Sequence, residues 1–238
     1  MQLFRFVNVP AISPFAPAWS GVLAESQLDG VDWPVLSQWI LDQEREIQSA
    51  SLVSNPAELP AYDGNGPNSL SSNYSRFNLL AKDHPQAQAL RQQVFEQYCL
   101  FMALTGINRR RSWLHSWVNI HYCGQSIAAH THNAGPYCYL SGHVSVQCTG
   151  TSTIYLHPLN TLNRVIIHDS PNEVGKLSLF QQSIPHYTTP HTTYEPRITI
   201  AFDLLVDEDY RLYPIGHPSR ETALLFDDPS IGADLPKI

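Results

Sequence analysis

The segment SIAAHTHNAGPY, residues 126–137, holds two histidines two positions apart, His130 and His132. On an extended chain residues i and i+2 point to the same side, so both imidazoles project into one space. Side by side they form part of a grip for a divalent transition metal. In a chain with 11 histidines such a pair is a weak signal alone, and on the wet face of a sheet it has no function. A second half-site lies downstream. GKLSLFQQSIPHYTTP, starting at Gly175, sets His186 just after an apolar strand and behind Pro185. Arg197 follows eleven residues later and opens the strand RITIAF. An arginine at the head of an apolar, inward-packing strand needs a partner, because an unpaired buried guanidinium is costly. A dicarboxylate ligand supplies one through a bidentate pair. Thr199 lies two residues on, shares the arginine's face, and can donate its hydroxyl to the same carboxylate.

These residues need a scaffold that faces them toward one another. From Ser112 the apolar pattern has the period of strands: SWVNIHYC, SIAAHTH, YCYLSGHVSVQC, STIYLH, RVIIH, KLSLFQQ and RITIAFDLLV are short apolar or alternating runs. Gly124, TGTS, Pro158 with its neighbours, and SPNEVG separate them. Such spacing predicts an antiparallel sandwich or barrel of about eight strands. The first half reads differently. DWPVLSQWILDQEREI offers Asp32 as an N-cap, Pro34 in the first turn, and Leu36, Trp39, Ile40 and Ile47 near one face. A second helix is expected over about 84–104, with Leu90, Val94, Tyr98 and Phe101 as its stripe and Thr105-Gly106 as its stop. Between them, residues 55–73 are rich in Pro, Gly, Asn and Ser and read as a long loop of the kind that forms lids.

Composition narrows the class. The 238 residues suffice for one large core, and 43% hydrophobic against 15% charged residues indicate a folded chain. The net charge of −7 disfavours non-specific attraction to duplex nucleic acid. Residues 207–238 hold seven acidic and three basic residues, so −4 of that charge sits in a C-terminal extension that wraps the surface. The run Arg109, Arg110, Arg111 reads as a solvated turn before a strand. The four cysteines, at 99, 123, 138 and 148, form no CxxC pair and read as buried free thiols. Without a signal-like or membrane-length apolar run, the expectation is a soluble, cytoplasmic protein.

Taken in order, several pieces resemble a family of non-haem iron, 2-oxoglutarate-dependent oxygenases common in marine bacteria and phages. They are Trp117 and Asn119 in SWVNIH, the HTH segment at His130 and His132, Ser141-Gly142 in LSGH, GKLSLF from Gly175, His186, and RITIAF from Arg197. The resemblance spans roughly residues 73–206, and the interval from His186 to Arg197 is its most specific part. It implies a mostly β protein with flanking helices and a double-stranded β-helix core of the jelly-roll, cupin-like kind. In that scheme residues 1–111 are a helical and loop elaboration, 112–206 the core, and 207–238 the acidic extension of a single domain. It also implies that His130, His132 and His186 hold Fe(II) and form the catalytic centre. Arg197, Thr199 and Asn119 would bind the co-substrate 2-oxoglutarate. The implied reaction is hydroxylation of a C–H bond of a small-molecule or peptide substrate, with release of succinate and CO2 from the co-substrate.

The chain departs from the family pattern in particular places. His132 stands where a carboxylate ligand is usual. Asn133 replaces the proline after the histidine pair, NAGPYCY is additional, Val144 and Ser145 replace tyrosines, and His157 replaces an acid. Two other readings therefore stand beside the first. One is a three-histidine cupin-type dioxygenase that does not use 2-oxoglutarate; the other is a non-enzymatic cupin-like binding protein. His84, His115, His121, His143, His157, His168, His191 and His217 read as structural or surface residues, with His191 a candidate for the site mouth.

Overall fold

Residues that alternate in polarity along one strand decide where everything else packs. In the computed structural model, residues 197–206 form a strand in which Ile198, Ile200, Phe202 and Leu204 belong to the main apolar core. Arg197, Thr199, Ala201 and Asp203 take the opposite face, as the two-residue period requires. Arg197 and Thr199 thus share one face, as their spacing suggested, and the apolar residues take the other. The apolar side meets helices, and the polar side lines the interior of a barrel.

The structure describes residues 1–7, 13–15, 17–49, 70–71, 77–160 and 163–230. In chain order the elements are β1 (Gln2–Val7), β2 (Ser20–Gln27), α1 (Trp33–Asp42), α2 (Glu44–Ser49), β3 (Leu70–Ser71), α3 (Pro85–Thr105), β4 (Ser112–His121), β5 (Leu140–Gln147), β6 (Ser152–Leu156), β7 (Ile166–Pro171), β8 (Lys176–Gln181), β9 (His186–Thr188), β10 (Arg197–Val206), α4 (Asp207–Tyr210), α5 (Pro218–Thr222) and β11 (Leu224–Asp227). One sheet runs β1-β2-β8-β5-β10-β4-β11, with β3 also on β4, and the smaller sheet runs β7-β6-β9. All the pairings are antiparallel. The expected mostly β architecture with flanking helices is the one found.

The larger sheet recruits strands from beyond residues 112–206. β1 and β2 come from a segment read as helix and loop, and β2 pairs with β8 from Leu23↔Phe180 to Gln27↔Lys176. The β8 partner of β2 lies about 150 residues away, and β1 joins the sheet only through β2, so local sequence carried little sign of either. The expected strand SIAAHTH is also different. Its backbone is irregular and meets β9 through an isolated bridge, His130↔His186, and through Ile127, whose carbonyl accepts the Thr188 amide at 3.1 Å. The next amide along this edge, that of His132, turns to the carbonyl of Gln182 at 3.0 Å and leaves the ladder. The loop expected over 55–73 lies outside the described residues apart from Leu70–Ser71.

Both main helices form where capping and periodicity put them. The Asp32 side chain accepts the Val35 amide at 3.1 Å, and Pro34 occupies the first turn of α1. Gly106, at φ 73°, closes α3 in a left-handed conformation that a glycine adopts without strain. Leu90, Val94, Tyr98 and Phe101 of α3 are fully buried, and with Leu36 and Ile40 of α1 they cover the outer face of the larger sheet. Each such apolar side chain contributes about 1.5–3 kcal/mol on burial. The glycine of the LSGH motif has a packing role. A Cβ at Gly142 would collide with the Phe202 ring and the Ser178 carbonyl, so its absence lets β5, β8 and β10 pack closely.

The three-arginine run is paired rather than merely solvated. Arg109 lies 3.5 Å from Asp227, Arg110 2.5 Å from Glu208, and Arg111 3.8 Å from Asp207 and 3.5 Å from Asp228. These pairs tie the acidic C-terminal segment to the start of β4. All four cysteines are unpaired, but none is fully buried as expected: Cys99, Cys138 and Cys148 are half-buried, and Cys123, in the turn before Gly124, is exposed. No helix among the described residues is long and apolar enough to cross a membrane.

Candidate functional site

His130 and His132 come from the irregular segment and His186 from the first residue of β9. The His130–His186 bridge, with N–H···O distances of 3.0 Å in both directions, fixes two of the three backbones against each other. The three rings lie close, with centroids separated by 4.4 Å (His130–His186), 5.2 Å (His132–His186) and 5.3 Å (His130–His132). One ligand atom of each falls within 4.8 Å of the others.

The hydrogen bonds of these rings say which atom faces the centre. Nδ1 of His130 contacts the Ala128 carbonyl at 2.8 Å, and Nδ1 of His186 contacts the Ile184 carbonyl at 3.1 Å. A carbonyl only accepts, so in both rings Nδ1 carries the proton and Nε2 presents its lone pair. Nδ1 of His132 meets Oδ1 of Asp203 at 2.5 Å, and the Ser141 hydroxyl donates to the same carboxylate oxygen. Burial and the neighbouring His132 push the His130 pKa down to about 4. Burial, His130 and His132 hold His186 well below its ordinary value. Neutral imidazoles with oriented lone pairs are the form that binds a divalent metal, so the donor set fits one. Asp203 is drawn up by burial, but His132 and Ser141 outweigh this and leave its carboxyl below the usual range.

Aromatic rings close in behind the cluster. Phe180 lies 4.7 Å and Tyr155 5.7 Å from the His186 ring, and Trp117 lies 5.5 Å from His132. His186 is buried, whereas His130 and His132 are half-buried, so the cluster is reached from the side of the irregular segment.

A second polar region lies along the same interior face. Arg197 is 1% exposed, and among the described residues it forms no ion pair and its Nε has no hydrogen-bond partner. Burial lowers its pKa to about 10. Thr199 is 2% exposed and its hydroxyl is likewise without a partner among the described residues. Register sets Thr199 opposite Asn119 on β4 and Ser145 on β5, and Arg197 opposite His121. Both ring nitrogens of His121 and the Ser145 hydroxyl also lack partners among the described residues. Burial, then the nearby Arg197, pushes the His121 pKa down to about 3. A buried cation with no counter-ion, beside several unused donors, fits a carboxylate.

All six candidate residues from the sequence lie on this interior. His130, His132 and His186 gather at one cluster, and Arg197, Thr199 and Asn119 adjoin on β10 and β4. Asp203, Ser141 and His121 were missed. The signal for Asp203 was present, since it continues the Arg197, Thr199, Ala201 alternation; His121 likewise continues Trp117, Asn119. His191 is 1% exposed and is held inside its loop by the Glu195 carbonyl at 2.5 Å, so it does not form an open mouth.

No protein-family model matches the sequence, and no curated protein matches it. The fold is the double-stranded β-helix found in 2-oxoglutarate- and Fe(II)-dependent oxygenases. Among the similar solved structures is a prolyl hydroxylase from Trichoplax adhaerens in complex with a hypoxia inducible factor peptide, at TM-score 0.55 and 11% identity over 81% of this chain and 87% of that one. Another is the viral collagen prolyl hydroxylase of Paramecium bursaria Chlorella virus-1 in a 2-oxoglutarate complex, at TM-score 0.50 and 11% identity over 77% and 96%. A third is the non-haem α-ketoglutarate-dependent carbocyclase SnoK of nogalamycin biosynthesis, at 0.52 and 8% over 77% and 79%. At these identities the likeness is one of fold.

Proposed function

We propose that the protein is a non-haem Fe(II)- and 2-oxoglutarate-dependent dioxygenase that hydroxylates a C–H bond of a peptide or small-molecule substrate. The observation that carries this reading is a juxtaposition. Three imidazoles whose Nδ1 atoms are engaged elsewhere occur in the same barrel interior as a buried arginine that, among the described residues, lacks an anion. A dicarboxylate that chelates a metal through one end and offers a carboxylate at the other answers both needs.

In this reading His130, His132 and His186 hold Fe(II) through Nε2, and their Nδ1 bonds keep the rings aimed. Fe(II), when bound, supplies the reaction with dioxygen that oxidises co-substrate and substrate together. Arg197 binds the distal carboxylate of 2-oxoglutarate, with Thr199 donating beside it and Asn119 on the neighbouring strand orienting the co-substrate. Tyr155, Phe180 and Trp117 restrict water around the cluster and shape the approach of the second substrate. The overall reaction consumes dioxygen, 2-oxoglutarate and R–H and yields R–OH, succinate and CO2. We further read the chain as one domain, with 112–206 as its catalytic core, acting in the reducing cytoplasm in keeping with four unpaired cysteines.

The three-histidine donor set alone also suits a cupin-type dioxygenase that does not use 2-oxoglutarate. Arg197 weighs against that reading, because it leaves a buried cation without a task. Incubating the Fe(II)-loaded protein with 2-oxoglutarate and oxygen, alone and with peptide and metabolite pools, tests the choice. Succinate formation is expected. Fe(II) uptake without 2-oxoglutarate binding would favour the cupin-type reading, and absence of both the non-enzymatic one.

A further inference from the structure

Three imidazoles carry no charge, whereas the two-histidine, one-carboxylate site usual for non-haem iron carries one negative charge. The structure contains a carboxylate one bond removed from the position the sequence leaves neutral. Asp203 faces the barrel interior on β10, between Ser141 on β5 and His115 on β4 in register. Its Oδ1 accepts Nδ1–H of His132 at 2.5 Å. The Ser141 hydroxyl donates to the same oxygen and also approaches His132 Nδ1 at 3.0 Å, which pins the carboxylate to that ring. The other two histidines are backed only by neutral carbonyls, of Ala128 and Ile184.

We infer that Asp203 is the displaced carboxylate of the site: a positioning residue that supplies its negative charge through the ring of His132 instead of by direct ligation. A hydrogen bond from Nδ1–H to an anion puts electron density into the imidazole and makes its Nε2 a stronger donor than a carbonyl-backed ring. The charge of the metal with its protein surroundings then equals that of a two-histidine, one-carboxylate centre. His132 becomes the strongest of the three nitrogen donors, and the site is electronically asymmetric although its ligands are identical. Ser141 limits Asp203 to the orientation in which this works.

The inference rests on the metal-site reading above, and the test separates the two. Asp203→Asn keeps an oxygen acceptor in place and removes only the charge. Co(II) serves as the probe, read by competition titration and by its visible ligand-field spectrum, with melting of the metal-free proteins as a check of folding. Asp203→Asn is expected to weaken Co(II) binding about 10- to 100-fold and to shift the visible bands. Ser141→Ala, which keeps the charge and frees its orientation, is expected to cost a smaller factor, roughly threefold, and stands in if Asp203→Asn does not fold. Co(II) affinity and spectrum unchanged in Asp203→Asn, or in Ser141→Ala where that variant stands in, would overturn the inference and leave the metal site intact. A parent protein that takes up no Co(II) would overturn both.

Discussion

The two ends of the barrel interior satisfy their polar groups in opposite ways. At the histidine cluster every Nδ1 has an oxygen partner, which leaves the Nε2 atoms of three neighbouring rings as the free valences. At the arginine end the free valences include several donors among the described residues: Nε of Arg197, the hydroxyls of Thr199 and Ser145, and the one ring N–H of neutral His121. Buried polar atoms are almost always paired, and unpaired ones raise the energy of the fold. In the proposed reading one end takes a cation and the other an anion. The difference also separates fold from function, because the groups that await a ligand contribute nothing to stability until it arrives.

The sharpest way to break this contrast is at the metal end. His186→Ala removes one of three donors and the most buried of them. Three donors are few for a labile divalent ion, so metal content measured after Fe(II) or Ni(II) loading is expected to fall to background. Stoichiometric metal in that variant would refute the cluster as the site. Arg197→Ala attacks the other end alone. It strands the distal carboxylate of 2-oxoglutarate without its cation, at a cost of about 2–5 kcal/mol. Calorimetry should show 2-oxoglutarate affinity lower by roughly thirty-fold or more with metal binding unchanged. Equal loss of metal and 2-oxoglutarate would mean that the two ends are not separable.

Most of this contrast was legible in sequence, and what was missed shares a cause. The capping residues of α1 and α3, the strand period after Ser112, and the Arg197–Thr199 face are local patterns, and the structure holds them. β1 and β2 were lost because their place in the sheet depends on β8, far along the chain. The histidine segment was read as a strand although only its His130 forms a β-bridge, since an irregular edge has no periodic signature. Asp203 was overlooked because its importance lies in a contact with a ring 71 positions away. Its alternation with Arg197 and Thr199 announced the face and not the partner.

The buried histidines carry the contrast into pH dependence. His121 and His143 are held near a pKa of about 3 by burial and by Arg197, against an ordinary value of 6.5. Below 6.5 the unfolded chain binds protons that the folded one refuses, so the stability is fully present above 6.5 and is lost as pH falls toward 3. Each histidine contributes a slope of about 1.4 kcal/mol per pH unit inside that window. Denaturant midpoints of the metal-free protein between pH 4.5 and 7.5 are expected to show it, and His121→Gln to reduce the slope by one proton. An unaltered slope in that variant would place His121 outside the set of depressed groups.

The smallest expected effect tests whether unpaired donors at the arginine end serve a ligand at all. Thr199→Val keeps the shape of the side chain and deletes a buried hydroxyl that has no partner among the described residues. In the ligand-free protein this removes an unsatisfied polar atom, so stability should hold or rise by up to about 1 kcal/mol. In the 2-oxoglutarate complex the same change deletes a hydrogen bond to a charged group, so affinity should fall by roughly tenfold. The two signs are opposite, which a purely structural threonine cannot produce: were the hydroxyl part of the fold, its loss would lower the melting temperature and leave 2-oxoglutarate binding unchanged. Thermal melting of the ligand-free protein and calorimetry with the metal-loaded protein therefore decide between a donor held in reserve and one already used by the fold.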